Sequence, residues 1–283
     1  MASKGLNVCL YDINENAAKK VMNGKLPFVE YNAEPLLKNC LETKKLKVSL
    51  DPKCITEAKF VIIAIGTPVD EYMNPKTNQF LKFIHEIKQY LDTSQIIIVR
   101  SSVFPRTCNQ ILKILGNKKQ WNLSYCPERI VQGFAINELR ELPQIVSGFS
   151  EYAIEEASNL FKIMTKKIIR TTVGEAELSK LFSNSWRYIQ FAIANQFYMI
   201  ANDFGEDYEN IREIMINGYE RNKGLPKAGF TAGPCLLKDT MQIASFNNNQ
   251  FQLGQAAMNI NEGLPSYIVN NLKKEFDLSK KTL

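Results

Sequence analysis

The sequence predicts an α/β protein: a doubly wound parallel sheet followed by an all-helical region. Three observations carry this. Phe60-Val61-Ile62-Ile63-Ala64-Ile65 and Gln95-Ile96-Ile97-Ile98-Val99 are continuous apolar runs, the pattern of parallel strands covered on both faces. Between them, residues 80–91 carry apolar side chains at helical spacing, so strand and helix alternate. From Thr172 onward apolar residues recur every three or four positions, the mark of long amphipathic helices.

Each element has its own signal. Residues 6–12 read as a buried strand ending in Asp12, and Asn14 is placed to cap a helix carrying Ala17, Ala18, Val21 and Met22, because a side-chain oxygen at that position accepts from a free helical N–H. Ala2-Ser3-Lys4-Gly5 reads as the tail of a helix closed by Gly5. Further strands are expected at residues 46–50, 121–125, 144–147 and 168–171. Thr172-Val173-Gly174-Glu175 is a capping box. Leu178, Leu181, Phe182, Ser185, Ile189, Ala192, Ile193, Phe197 and Ile200 then share helical spacing, which predicts one helix of about 30 residues, roughly 45 Å long. A second helix is expected near residues 208–216 and a last long one over 251–276. The boundary between the sheet region, 1–171, and the helical region, 172–283, falls near Thr171.

Composition narrows the function classes. The 283 residues are 45% hydrophobic and 23% charged, enough for one large or two medium domains. No apolar run reaches the roughly 18 residues a membrane span needs, and no signal peptide is evident at the start of the chain. The six cysteines, Cys9, Cys40, Cys54, Cys108, Cys126 and Cys235, form no CxxC pair. They suggest neither a metal site nor a disulfide framework; reduced thiols in a cytoplasm are expected. The one histidine, His85, sits in a charge-dotted amphipathic segment, which reads as surface and makes a histidine-based triad improbable. The net charge of +6 comes from lysines spread along the chain. No basic run interleaves with aromatics, so nucleic-acid binding is not expected, whereas a mild positive balance suits an anionic small substrate.

The chemistry-bearing residues are few. Gly229-Phe230-Thr231-Ala232-Gly233-Pro234-Cys235-Leu236-Leu237-Lys238-Asp239 is a glycine-rich loop running into a cysteine, with a lysine and an aspartate one helical turn later. If Cys235 opens a helix, its sulfur lies at the positive end of the helix dipole, with Lys238 and Asp239 returning to the same side. Such a setting makes a thiolate nucleophile; a cysteine that only packs is the plain alternative. Lys180 and Asn184 share a helix face, or are simply solvated. Glu128, in Cys126-Pro127-Glu128-Arg129, follows a strand and by itself is only a loop carboxylate. Arg221 and Lys223 could hold an anionic substrate or equally face solvent. Gly66-Thr67-Pro68 and Ser101-Ser102 follow strands, where ligands of open α/β sheets bind. Asp12 is placed as the acid that bonds a nucleotide's ribose, or is an ordinary turn residue. The glycine fingerprint belongs about 20 residues before such an acid, and only eleven residues precede Asp12.

In order along the chain, five segments resemble the UDP-glucose/GDP-mannose dehydrogenase family: 63–68, 100–105, 127–129, 177–184 and 229–239. They run in family order over nearly the whole chain, and the cysteine block and the Lys-x-x-x-Asn block are the most specific. The resemblance implies a Rossmann-like NAD domain, a helical central domain that dimerises through its long helix, and a UDP-sugar rather than a GDP-sugar as substrate. It implies two hydride transfers to NAD from C6 of the sugar, the second from a Cys235 thiohemiacetal. The resulting thioester is hydrolysed to a uronic acid. By position, Lys180 would stabilise negative charge on oxygen, Asn184 would donate to the same oxygen, Asp239 would activate water and Glu128 would assist hydrolysis. Asp12, Gly66, Thr67, Ser102 and Lys238 fall to the cofactor side; Arg129, Arg221, Gly229 and Gly233 fall to the substrate side. No metal is implied.

Two departures from the family pattern give further expectations. The first strand and its glycine fingerprint are expected to be missing, and with them much of the pyrophosphate affinity. The second nucleotide-binding α/β domain that follows the central helices in the family is also expected to be missing, so the chain reads as the middle of a longer protein with impaired activity. Two other readings stand beside this one. A β-hydroxyacid or 6-phosphogluconate-type dehydrogenase also carries Lys-x-x-x-Asn, but it needs no thiol. An inactive helical dimerisation module would need no site at all. The sugar is not fixed: the Cys-x-x-Lys-Asp block resembles glucose and mannose enzymes, whereas 127–130 through 142–146 is similar to enzymes of N-acetylhexosamine nucleotides.

Overall fold

The computed structural model describes residues 1–67, 69–70, 76–116, 120–231 and 235–278. The chain divides into two compact units, Met1–Pro68 with Lys76–Lys180, and Val69–Pro75 with Leu181–Leu283.

The first unit opens with one 3-10 turn, Ala2–Lys4, ended by Gly5 at φ 92°, a left-handed conformation that glycine adopts freely. β1 (Val8–Tyr11) leads to α1 (Glu15–Met22), whose first turn is capped by Asn14 Oδ1 accepting from Ala17 N at 3.1 Å. α2 (Ala33–Glu42) returns to β2 (Leu46–Ser49), parallel to β1 with Val8 opposite Leu46. β3 (Phe60–Ile63), α3 (Thr77–Ile87), β4 (Ile96–Val99), α4 (Thr107–Leu115) and β5 (Asn122–Tyr125) follow, and the three strands pair in parallel. α5 (Ala135–Glu141) leads to β6 (Gln144–Gly148), α6 (Glu151–Lys162) and β7 (Ile168–Arg170). The expected strands are all present. β6, however, runs antiparallel to β5, and β7 follows β6 in parallel, so the parallel order holds through β5 and reverses at β6.

The ladder is in two pieces, β1-β2 and β3-β4-β5-β6-β7. All four residues of β4 are buried. Ile97 and Val99 face a core with Val61, Ile63, Leu123 and Tyr125 under α3 and α4, while Ile96 and Ile98 face a second core with Val146 and α6's Ala157, Leu160 and Phe161. Alternation between two apolar layers is why these strands read as continuous apolar runs.

α7 (Val173–Phe204) is a single helix of 32 residues. Its capping box forms as the sequence predicts: Glu175 N donates to Thr172 Oγ1 at 3.3 Å, and Thr172 N donates to Glu175 Oε2 at 3.0 Å. Val173 and Ala176 belong to the first core, so the opening turns of α7 are part of the first unit. The second unit holds the rest of α7, then α8 (Tyr208–Ile216), α9 (Cys235–Phe246) and α10 (Gln252–Glu275). Tyr188, Ala192, Leu236 and Ala257 bring α7, α9 and α10 into one core, and Ala194, Ala201 and Tyr208 form another. Among the described residues, no helix is long and apolar enough to cross a membrane.

Candidate active site

In the first unit the loops beyond the strands are tied to one another. Thr67 Oγ1 donates to Ser102 O at 2.7 Å, and Ser101 Oγ donates to Ile65 O at 2.7 Å. The segments after β3 and β4 are thus held side by side. Gly66 is exposed, with no atom within 4 Å of where a Cβ would stand. Asp12 follows β1 directly, and its Oδ1 accepts from Asn14 N at 2.8 Å, a turn that leads into α1.

Glu128 is engaged on both oxygens. Oε2 pairs with the Arg100 guanidinium, and Oε1 accepts from Arg129 N at 2.8 Å and Ile130 N at 3.2 Å. Arg100 is 8% exposed, donates to Gln144 Oε1 at 3.0 Å and lies over the Phe161 ring. Burial lowers its pKa to about 10, which leaves it charged at neutral pH. Glu128 therefore shapes the loop after β5 as a carboxylate clamped by a buried cation. Arg129 donates from its guanidinium to Pro143 O.

Lys180 lies half-buried on α7. One turn before it, Glu177, 1% exposed, accepts from Arg106 N at 2.7 Å and Cys108 N at 3.1 Å. It satisfies free amides at the N-terminus of α4 and so fixes how far along its axis α7 is docked. Sequence reasoning passed over Glu177; its signal was an acid set among Ala176, Leu178 and Leu181.

In the second unit, α9 begins at Cys235, which is exposed. Asp239, one turn on, is fully buried. Its Oδ2 accepts from Asn184 Nδ2 at 2.6 Å, and its Oδ1 lies 3.3 Å from Lys238 Nζ. The structure thus gathers Asn184, Asp239 and Lys238 within one turn of Cys235, with a buried carboxylate between an amide and a cation. Gly229 is held by both its N–H and its C=O by Asn195, a residue that sequence reasoning also missed. Arg221 stacks on Tyr219 and Lys223 pairs with Glu220 at 3.4 Å; both are exposed. Gly233 lies outside the described residues. His85 is exposed on α3.

Residues 1–165 match the model of the UDP-glucose/GDP-mannose dehydrogenase family's NAD binding domain, and residues 174–263 match its central domain. The chain belongs to this family. It is 30% identical over 278 residues to a UDP-N-acetyl-D-mannosamine dehydrogenase of Methanocaldococcus jannaschii, covering 97% of this chain and 64% of the relative. A UDP-D-ManNAc dehydrogenase structure from Pyrococcus horikoshii superposes with a TM-score of 0.88 at 26% identity, covering 97% of this chain and 68% of that one. A UDP-N-acetyl-mannosamine dehydrogenase structure from Staphylococcus aureus superposes with a TM-score of 0.85 at 26% identity, covering 99% and 68%. The chain spans just under two thirds of the Methanocaldococcus relative's length.

The family domain implies NAD, and the residues present fit part of it. Asp12, just after β1, would offer an acceptor to ribose hydroxyls, and the tied loops at Gly66–Thr67 and Ser101–Ser102 would offer small polar groups beyond β3 and β4.

Proposed function

We propose that this chain carries the catalytic residues of a nucleotide-sugar 6-dehydrogenase. Its substrate would be a UDP-linked N-acetylhexosamine, converted to the uronic acid in two oxidations. The observation that carries this reading is Cys235 at the head of α9 with Asn184, Asp239 and Lys238 gathered one turn behind it. A dehydrogenase that oxidises an alcohol once has no use for that thiol. The choice of an N-acetylhexosamine is supported by the names of the relatives and by the likeness of 127–146 to such enzymes.

Asp12, Gly66, Thr67 and Ser102 would hold NAD, which when bound would supply the hydride acceptor, one molecule for each of the two oxidations at C6. The thiolate of Cys235 adds to the C6 aldehyde. Lys180 and Asn184 stabilise the negative oxygen of the thiohemiacetal, one by charge and one by donating an N–H. Loss of the second hydride leaves a thioester on Cys235. Asp239 orients the water that attacks it, the C6–S bond breaks, the uronate is released and the Cys235 thiolate is regenerated. Arg129, Arg221, Gly229 and Gly233 belong to the substrate side. Glu128, clamped by Arg100, keeps the loop after β5 in shape for hydrolysis.

The long α7 helix also supports pairing of two copies. Phe182, Trp186, Ile193, Phe197, Ile200 and Phe204 form an exposed apolar stripe along it, and an exposed stripe of this size marks an interface.

The test is product stoichiometry. Incubated with UDP-N-acetylmannosamine and millimolar NAD, the protein should form two NADH per uronate. Acid-quenched protein should carry the sugar mass on Cys235. Cys235→Ser should abolish uronate and the adduct; unchanged uronate formation by that variant would sink the nucleophile assignment.

A further inference from the structure

We propose that Asn195 is a positioning residue for Cys235, holding the entry to the cysteine loop from the same helix face that holds its exit. The assignment rests on Cys235 being the nucleophile.

Asn195 is fully buried on α7. Its Oδ1 accepts from Gly229 N at 2.8 Å, and its Nδ2 donates to Gly229 O at 3.1 Å and to Asn261 Oδ1 at 2.9 Å. Asn261, on α10, donates in turn to Tyr188 O at 3.0 Å. Both Nδ2 hydrogens are therefore used, and the amide cannot flip without losing all three bonds. A buried amide with no partner would be costly; this one is anchored and grips both backbone groups of one residue, in two consecutive peptides. Gly229 lies at φ 158°, a backbone that side chains rarely adopt. A carboxamide matches the N–H and C=O of such a residue because it offers one acceptor and one donor in a plane.

Asn184 and Asn195 are eleven residues apart on one helix. Three turns bring them back to within about 20° of the same face, about 16 Å apart along the axis. Asn184 holds Asp239, four residues after Cys235, and Asn195 holds Gly229, six residues before it. One face of α7 thus fixes both ends of the segment that presents the sulfur. Among the described residues Asn195 bonds to Gly229 and Asn261 and to none of the reacting groups, so its effect passes through the loop.

The test compares Asn195→Asp and Asn195→Ala with Tyr267→Phe, which removes a different tie between α10 and α7, from Tyr267 to Met199 O and Asp203 Oδ1. Asn195→Asp keeps the shape and the acceptor but turns a lone pair toward Gly229 O. We expect kcat to fall by at least about 10-fold and up to about 100-fold, the loss that a misplacement of a reacting group by about 1 Å can cause, with KM for the sugar nucleotide within about threefold. The Asn195→Asp loss should shrink at low pH, where the introduced carboxyl is protonated and can donate again. Tyr267→Phe should lower thermal stability and leave kcat in place. A kcat for Asn195→Asp within twofold of the parent overturns the proposal, as does an equal loss in Tyr267→Phe. If Asn195→Ala does not fold, Asn195→Asp alone decides. Should Cys235→Ser retain turnover, the proposed function fails separately. The rate of Cys235 alkylation by iodoacetamide then decides the positioning role, and equal rates in the parent and Asn195→Asp overturn it.

Discussion

Cys235 differs from the chain's other thiols in what surrounds it. Cys108 and Cys126 are fully buried in the first unit. Burial holds the Cys108 thiol well above its usual range and pushes Cys126 up to about 12, despite the Arg100 charge nearby. Burial, and then a hydrogen bond with Cys54, raises Cys9 to about 11. These groups stay protonated at neutral pH and are poor nucleophiles, whereas the thiol proposed as the nucleophile stands exposed at the start of α9. Cys126 gives a stability prediction whose sign can be worked out. Its thiol ionises near 9.0 when unfolded and near 12 when folded, so the unfolded state releases the proton first. The stability is complete below pH 9 and is lost as pH rises toward 12, at about 1.4 kcal/mol per pH unit. The stability gap between the parent and Cys126→Ala, measured by urea unfolding, should narrow between pH 9 and pH 10.5. A gap independent of pH would refute it. At this scale the sequence was informative only where partners are near in number. Cys235, Lys238 and Asp239 lie within one helical turn, so their grouping could be read. Asn195 and Gly229 are 34 residues apart and Glu177 and Arg106 are 71 apart, and nothing in local periodicity links them.

The helices were legible because their signals are local. The Thr172 and Glu175 capping box and the apolar spacing after it mark α7 from its first turn to its last. The direction of β6 was not legible, because an apolar run covered on both faces reads the same in either direction. The packing of α9 on α10 was also invisible from the sequence, and it turns on one glycine. A Cβ at Gly254 would stand 2.8 Å from Thr240 Cγ2 and 2.5 Å from Phe251 Cδ1. Thr240 is fully buried on α9, so its methyl has little room to yield. Gly254→Ala would gain helix propensity, but the overlap outweighs it, and a net loss of about 1–3 kcal/mol is expected from overpacking. Urea unfolding of the variant checks this; a stability equal to or above the parent's would mean that the two helices can separate without cost. Because α9 carries Cys235 on its first turn, turnover should fall together with stability.

On the scale of the whole molecule, the exposed stripe of α7 makes a prediction about assembly. Phe182, Trp186, Ile193, Phe197, Ile200 and Phe204 are each between 40% and 83% exposed. With half-buried Ile189 they fall at intervals of four and three residues, the spacing of a helix–helix seam. The stripe is centred on Ile193, which lies midway between Phe182 and Phe204. An antiparallel pairing of two copies about a twofold axis at Ile193 sets Phe182 against Phe204, Trp186 against Ile200, and Ile189 against Phe197, as a self-complementary interface requires. The seam would run about 33 Å along each helix. Left in water, that many large apolar side chains exceed what monomeric surfaces usually expose together. We therefore expect a homodimer at micromolar concentration, measured by light scattering coupled to gel filtration. Phe197→Glu should convert it to a monomer, since the pairing would bury two unpaired carboxylates, each against Ile189 of the other copy. Trp186→Glu should do the same. Phe28→Glu, a change at an exposed residue of the first unit that is not part of the stripe, should leave the dimer intact. A parent protein that is monomeric at 100 micromolar, or a Phe197→Glu variant that stays dimeric, would rule out this seam.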